Sequence, residues 1–523
     1  METFLSRHAR SVTGTLSGFD RLVFRGTLRG LVLRQYGMAR YLWAMRIKLK
    51  DFAAHVVEVS GLVKGASEAL AQELGRPLRY LASAAESKEA VAREIAASDR
   101  IEQGLVCILS AVEPCWTFGI RGDRASKTIA LVPQYRKCLH LYHYYIDPQL
   151  GFMNARIQTW FPFPIQVCLN GREWLAQQMN AAGLDYVKRD NCFTWLASCE
   201  EAQRLMNRQL ETAWPELLQG IARRLNPHHA AMFRAYPVEY YWSVYQSEWA
   251  SDIMFCDAAS LARLYPKLVH HGLTTFQSPD VMRFLGRNVP PSGRIPPALK
   301  ADVTSDIKTR PEGVRIKHRL GANSIKTYDK QRTVLRIETT INDAAGFKSF
   351  RPPEGRPTAP KRWQPMRKGI ADLHRRAEVS HAANKRYAQA LASVADERSL
   401  GELAARLCQP VHHNGRRTRP LNPYAPEDAR LLAAIARGEF TLNGFRNRDL
   451  RKLLVDTQPS SPLEQRRLAA SVTRKLAMLR AHRLIRKLPG THRYLLTVNA
   501  RATITAILAA RRASAETLAK IAA

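Results

Sequence analysis

The chain has 523 residues, with 80 Lys+Arg against 45 Asp+Glu and a hydrophobic fraction of 46%, so it carries a net charge of +35 and enough apolar residues for more than one core. A polyanionic partner is the simplest explanation of that charge. No apolar run approaches the ~20 residues of a membrane span, and METFLSRHARS places charges where a secretory leader is apolar, so a cytoplasmic protein without membrane contact is expected. The eight cysteines (Cys107, Cys115, Cys138, Cys168, Cys192, Cys199, Cys256 and Cys408) are scattered with no CxxC pair, and are expected to be reduced thiols rather than a zinc or disulfide framework. The sequence contains no Walker loop, Rossmann glycine fingerprint, HExxH or GxSxG, which leaves the common nucleotide-hydrolase and hydrolase mechanisms unsupported.

From the N-terminus, Phe19-Asp20-Arg21-Leu22-Val23-Phe24-Arg25-Gly26 alternates like a strand and ends at glycine. Helical spacing follows over residues 39–58 and 87–96, and residues 105–112, 117–120 and 128–132 read as strands near Pro114, so residues 1–130 are expected to be a mixed α/β region. Residues 139–145, 153–161 and 165–169 read as aromatic-rich strands, and Asn170-Gly171 turns into an amphipathic helix around Trp174, Leu175 and Met179. Their rings, interleaved with His143 and Arg156, suit stacking on the bases of single-stranded DNA or RNA; filling a core is the alternative use. Residues 198–222 are helical in pattern, as is the Trp/Tyr-rich stretch 232–261. In the latter, Glu248 and Asp252 stand four apart, on one face of a helix, as a pair that could hold Mg²⁺ or form an exposed acidic face. The histidine pairs His228-His229, His270-His271 and His412-His413 point apart on any regular element and make no ligand set.

After a basic, Pro- and Gly-containing stretch at 287–315, Asn323-Ser324-Ile325-Lys326-Thr327-Tyr328-Asp329-Lys330 and Val334-Leu335-Arg336-Ile337-Glu338-Thr339-Thr340-Ile341 read as a hairpin. Period-two alternation puts Lys326, Tyr328 and Lys330 on one face of the first strand and Arg336, Glu338 and Thr340 on one face of the second. If the register joins these faces, a phenol, ammonium groups, a guanidinium and a carboxylate converge, which suits phosphate chemistry. Tyr328 is then a candidate nucleophile on a DNA phosphodiester, with Lys326 and Lys330 stabilising charge, and Glu338 with Glu248 or Asp252 recruiting Mg²⁺ or Mn²⁺. Asp20 is a third candidate carboxylate. The order YDK then RIE resembles a hairpin of rolling-circle plasmid and filamentous-phage replication initiators, which implies DNA nicking or strand transfer. Those enzymes also carry a histidine–apolar–histidine metal motif, and the nearest feature here, His140-Leu141-Tyr142-His143, is spaced wrongly for two ligands on one strand face. A structural hairpin with paired or solvated charges is the alternative.

RPPEGRPTAPKRWQP and CQPVHHNGRRTRPLNPYAP read as Pro-rich basic linkers on either side of a long helix at 366–394. Beyond them come helices at 427–436 and 445–454, and then Ser461-Pro462-Leu463-Glu464, with a capping hydroxyl, Pro at the first helical position and Glu at the third. On the helix that follows, Leu468, Val472, Leu476 and Leu479 form an apolar stripe, with Arg467 and Arg474 opposite among Ala470, Ala477 and Ala481. Leu484-Ile485-Arg486-Lys487-Leu488, Pro489-Gly490 and His492-Arg493-Tyr494-Leu495-Leu496-Thr497 then spell a hairpin closed by a type II turn. SVTRKLAMLRAHRLIRKLPGTHRYLLT resembles the recognition helix and wing of MarR-like winged-helix regulators. The resemblance covers about the last hundred residues and implies double-stranded DNA as partner, with Arg467, Arg474, Lys475, Arg486, Lys487, His492 and Arg493 as contacts. Residues 441–523 hold 17 Lys+Arg against four Asp+Glu, an excess that suits phosphate contact.

The expectation is an α+β multidomain chain: a mixed α/β N-terminal region (1–130), an aromatic-rich α+β body with the candidate site (131–345), a helical Pro-rich linker region (346–424) and a C-terminal winged helix (425–523). The expected function is DNA binding in a replicon or mobile element. A metal-dependent nicking or strand-transfer enzyme, a transcription regulator and an RNA-binding protein stay open beside it.

Overall fold

The computed structural model describes all residues except 33–35, 84, 124, 126, 277, 288, 290–301, 311–312, 354–355, 357, 393–399, 414, 438–439, 441–443, 456–460 and 515–523. Two compact units divide the chain: a larger one of His8–Pro266 with Val303–Lys385, and a smaller one of Met1–Arg7, Lys267–Asp302 and Arg386–Ala523.

The larger unit is mixed α/β, built on one eleven-stranded sheet. Its strands in chain order are β1 (Val12–Leu28), β2 (Leu78–Tyr80), β3 (Gly104–Asp123), β4 (Thr128–Asp147), β5 (Gly151–Gln158) and β6 (Ile165–Asn170). A separate small hairpin, β7 (Tyr186–Arg189) and β8 (Cys192–Leu196), precedes β9 (Tyr240–Phe255), β10 (Val303–Arg310), β11 (Gly313–Leu320), β12 (Asn323–Lys330) and β13 (Val334–Ile341). The sheet runs β10-β11-β12-β13-β9-β1-β6-β5-β4-β3-β2, so β9 and β1, far apart in sequence, lie side by side at its centre. All pairs are antiparallel except β2 with β3.

Apolar residues cover both faces. Phe19, Ile108, Ile157, Leu175, Leu205 and Trp214 belong to one core, whereas Leu109, Tyr144 and Phe152 pack with Val91 and Ala92 in another. The Lys88–Ser98 helix that supplies the last two begins where Ser87 Oγ accepts from the Ala90 N–H. The helix Gly171–Ala182 starts the same way, Asn170 Oδ1 accepting from the Arg172 and Glu173 N–H groups.

Several expectations change. The boundary at 130/131 falls inside β4, which pairs along its length with β3, so both sides of it belong to one sheet. The strands expected at 105–112 and 117–120 are one strand running through Pro114, which is tolerated because β2 pairs only with residues 108–110 and leaves that edge of β3 open further along. Residues 232–261 are chiefly strand β9 rather than helix. Trp242, Tyr245, Trp249 and Ile253 happen to fall at helical spacing, but a strand between β1 and β13 buries residues on both faces and loses its alternation. The Pro-rich stretch after Phe350 is no boundary: Lys348–Arg351 pairs with Arg362–Pro365, and the larger unit continues to Lys385. The stretch 287–315 lies partly outside the described residues, and its described end includes edge strand β10.

In the smaller unit, helices Pro426–Ile435, Asn447–Leu454, Pro462–Ala481 and Val498–Arg512 share a core of Leu431, Leu432, Ile435, Leu450, Val472, Leu476, Leu479 and Ile504. Strands Ile485–Lys487 and Tyr494–Leu496 pair, and Phe445 and Tyr494 exchange backbone hydrogen bonds of 2.9 Å as a separate one-residue antiparallel bridge. Leu488 to Thr491 is the expected turn: the Thr491 N–H reaches the Leu488 carbonyl, and Gly490 sits at φ +67°, where a side chain would be strained. Among the described residues no helix is long and apolar enough to cross a membrane. The cysteines are free thiols: Cys107, Cys115, Cys138 and Cys192 are buried, while Cys256 and Cys408 are exposed.

Candidate functional site

Antiparallel pairing stacks polar side chains in rows on one face of β12, β13 and β9. Lys326 stands opposite Glu338, Tyr328 opposite Arg336, Arg336 opposite Asp252 and Thr340 opposite Glu248. The hairpin register thus joins the two faces that the sequence offered. Asp20 arrives differently: between Phe19 opposite Trp249 and Arg21 opposite Glu248 the register of β1 slips by one, leaving Asp20 as the additional residue of a bulge. A bulge re-aims side chains out of the regular alternation. Carboxylate oxygens of Asp20, Glu248 and Glu338 all lie within 4.8 Å of one another.

Around this cluster the charges are paired. Arg336 is wholly buried; its Nε donates to Asp252 Oδ1 at 2.6 Å, Nη1 to Asp20 Oδ1 at 3.1 Å, and Nη2 to Asp252 Oδ2 and the Asn191 carbonyl at 2.9 and 2.8 Å. Arg172, equally buried, closes on Asp252 from the first turn of its helix, with Nη2 to Oδ2 at 2.9 Å. Lys326 Nζ lies 2.6 Å from Glu338 Oε1 and 3.7 Å from Glu248 Oε1. The Tyr328 hydroxyl donates to Glu338 Oε2 at 2.7 Å. Asp190 and Asn191 form the two-residue link between β7 and β8, with Asp190 at φ +55°. The Asn191 amide donates to Asp20, and its side-chain oxygen accepts from Lys330 Nζ.

Electrostatics follow from burial set against these partners. Burial pushes the Asp252 carboxyl up, but Arg336 and Arg172 outweigh it and hold the group at about 2. Glu248 is pushed up by burial and by the charge of Glu338 beside it. Burial opposes ionisation of Glu338 too, yet Lys326 and Arg336 hold it low. The Tyr328 phenol is raised well above its ordinary value by burial and by Glu338.

A cleft of about 260 Å³ opens on Asp20 and Glu248, with Arg21, Arg93, Asn191 and Lys330 among its walls. Tyr328 is not in it. The open setting expected for a nucleophilic tyrosine is absent: Tyr328 is 6% exposed, its hydroxyl is committed to Glu338 and its phenolate is disfavoured, so it positions Glu338. Asp252 is likewise displaced from its expected metal role. On a strand, four residues span about 13 Å, so Glu248 and Asp252 share a face without meeting, and both Asp252 oxygens are taken by arginines. Lys326 is at the cluster, and Lys330 is at the cleft beside Asp190, 3.3 Å away.

Arg172, Asn191, Arg376 and Asn384 lay outside the sequence reading. The last two anchor the back of the site strands from the helix Leu373–Leu391: Arg376 donates to Ser247 Oγ and the Val244 carbonyl, and Asn384 to Ser251 Oγ and the Ile337 carbonyl. Only the capping Asn170-Gly171 pair, which fixes where the Arg172 helix starts, left a signal. The rings proposed for base stacking chiefly pack: His143 is 1% exposed with Nε2 at 3.1 Å from Ser67 Oγ, and Arg156 is tied to Glu113 at 3.1 Å.

In the smaller unit, Ser461 Oγ caps the helix Pro462–Ala481 through the Glu464 N–H. Arg467, Ala470, Arg474 and Ala477 are exposed along it, whereas Ala481, expected beside them, is buried. Arg486, Lys487 and His492 are exposed on the hairpin, and Arg493 is half-buried. Arg474, Lys475 and Arg480 also line a groove of about 880 Å³ together with Arg417 and Arg419. Comparison of this chain with protein-family models, with curated proteins and with solved structures gave no match.

Proposed function

We propose that this chain is a DNA-binding protein whose smaller unit holds double-stranded DNA in winged-helix fashion, the helix Pro462–Ala481 entering the major groove and the Ile485–Leu496 hairpin lying along the backbone. The observation that carries this reading is the exposed row of Arg467 and Arg474 among small residues, bordered by the groove of Arg417, Lys475 and Arg480. Two helical turns, about 10 Å, separate the first two guanidinium groups, and alanine between them permits close approach to base edges. Binding of labelled duplex to the full chain tests it. Arg467→Ala with Arg474→Ala should weaken binding at least about tenfold, on the scale of two lost charged contacts; unchanged affinity would remove the helix from the interface.

A second reading is supported by the meeting of Asp20, Glu248 and Glu338 beside Lys326: metal-dependent nicking or strand transfer of DNA by the larger unit. The likeness of the β12–β13 hairpin to replication initiators would place such chemistry in the copying or movement of a replicon. Supercoiled DNA incubated with the full chain and Mg²⁺ or Mn²⁺ should be nicked, and Glu338→Gln should stop it. The buried phenol supports attack by water over attack by Tyr328, so Tyr328→Phe should retain nicking and no protein–DNA adduct should form.

A further inference from the structure

Three carboxylates are gathered from the bulge of β1, from β9 and from β13, and two of them are almost fully buried: Asp20 and Glu338 are 4% and 1% exposed, with Glu248 partly open at the cleft. The nearest cations do not use up their capacity. A carboxylate offers about four lone-pair positions. Glu338 engages Tyr328 and Lys326, Asp20 engages Arg336 and Asn191, and Glu248 accepts from Gln246 at 3.0 Å with Lys326 Nζ 3.7 Å away.

An independent feature points into the same place. Thr340, 4% exposed, has a side-chain hydroxyl with no hydrogen-bond partner among the described residues, and it stands directly opposite Glu248 and two residues along β13 from Glu338, on the face that bears both carboxylates. A buried hydroxyl left unbonded is costly, and a ligand or ordered water is its usual partner. A hydrated cation held by the carboxylates would place a water beside it.

We propose that Asp20, Glu248 and Glu338 bind one divalent cation of the magnesium and manganese class, with the Thr340 hydroxyl bonded to a water of its coordination shell. The donor set is all oxygen and anionic, which selects hard cations over zinc or copper. Entry is through the cleft, which Asp20 and Glu248 line, while Glu338 is buried with a carboxylate oxygen within 4.8 Å of theirs. Asp252 stays outside the coordination sphere and acts at one remove: it fixes Arg336, and Arg336 in turn orients Asp20. The inference deepens the nicking reading and rests on the same residues, but it is tested by binding alone, so a protein that takes up metal and cuts nothing would end that reading and leave the site standing.

The experiment is a Mn²⁺ titration of the metal-free full chain followed by electron paramagnetic resonance, with Mg²⁺ as competitor. One saturable site is expected, which Mg²⁺ displaces. Glu338→Gln and Asp20→Asn should each weaken it by at least about tenfold, Thr340→Val by several-fold, and Glu89→Gln, an exposed carboxylate at the same cleft, by less than about twofold. Glu248→Gln, the least buried ligand, serves where either of the first two fails to fold, and the same tenfold loss is expected of it. No saturable site in the folded wild-type chain up to about 1 mM Mn²⁺, the weak end for carboxylate-held divalent ions, or equal binding by folded ligand variants, overturns the proposal.

Discussion

Asp252 shows how a single residue can decide what its neighbours do. It lies between two fully buried guanidinium groups, and removing its charge would leave Arg172 without its carboxylate partner and Arg336 with Asp20 alone. Breaking such a buried pair typically costs ~3–5 kcal/mol, so Asp252→Asn should lower the urea midpoint steeply, whereas Asp190→Asn, whose side chain is 60% exposed, should shift it little. Equal midpoints for the two variants would mean that the arginine sandwich contributes nothing. Tyr328→Phe removes one hydrogen bond to a charged acceptor, a loss of about 1.5–3 kcal/mol, and unfolding measurements should find it. His143 sets a pH response. Burial holds its imidazole at about 4 against an ordinary 6.5, so as pH falls the unfolded chain takes up this proton first. Its contribution is therefore complete above pH 6.5 and declines from there to pH 4, by roughly 3 kcal/mol in all. His143→Gln, which can still bond Ser67, should flatten the stability slope across that window; an identical slope would assign it to other groups.

At the level of elements, two local irregularities build the site. One is the bulge of β1. The other is the approach of the helix Gly171–Ala182 to β1, so close that a Cβ on Gly171 would stand 1.6 Å from the Phe19 carbonyl oxygen. The helix that carries Arg172 can start there only at glycine. Gly171→Ala should accordingly push Arg172 from Asp252 and destabilise the larger unit by about 2 kcal/mol or more; wild-type stability for this variant would contradict the tight approach. In the smaller unit the helix and the hairpin are expected to divide their labour. Arg474→Ala should lose about 1–3 kcal/mol of discrimination between preferred and random duplex, while Arg493→Ala should weaken both alike, because a phosphate contact carries no base information. Competition binding with the full chain separates the two, and parallel losses in both variants would sink the recognition-helix placement.

On the scale of the whole molecule, the +35 charge is the dominant physical property, and it predicts strong salt dependence of duplex binding. If about six phosphates are contacted, affinity should fall roughly a thousandfold between about 50 and 200 mM salt. A flat salt response would argue for a partner other than nucleic acid. The larger unit gathers its polar cluster from residues as far apart in sequence as Asp20 and Arg336, joined at 3.1 Å because β1 and β13 flank β9.

What the sequence determined by itself was local. The cap at Ser461, the Pro489-Gly490 turn, the apolar stripe of the helix between them and the facing of Lys326 and Tyr328 with Glu338 and Arg336 all follow from short-range periodicity and hydrogen bonding, and each is legible over a few residues. Helix or strand for β9 was not, because burial on both faces erases the period that tells them apart. Nor could spacing reveal which carboxylates meet. Glu248 and Asp252 looked like partners, but strand order and a one-residue slip in β1 brought Asp20 and Glu338 to Glu248 and gave Asp252 to the arginines. Long-range pairing and register are properties of the assembled sheet, and only the tertiary structure decided them.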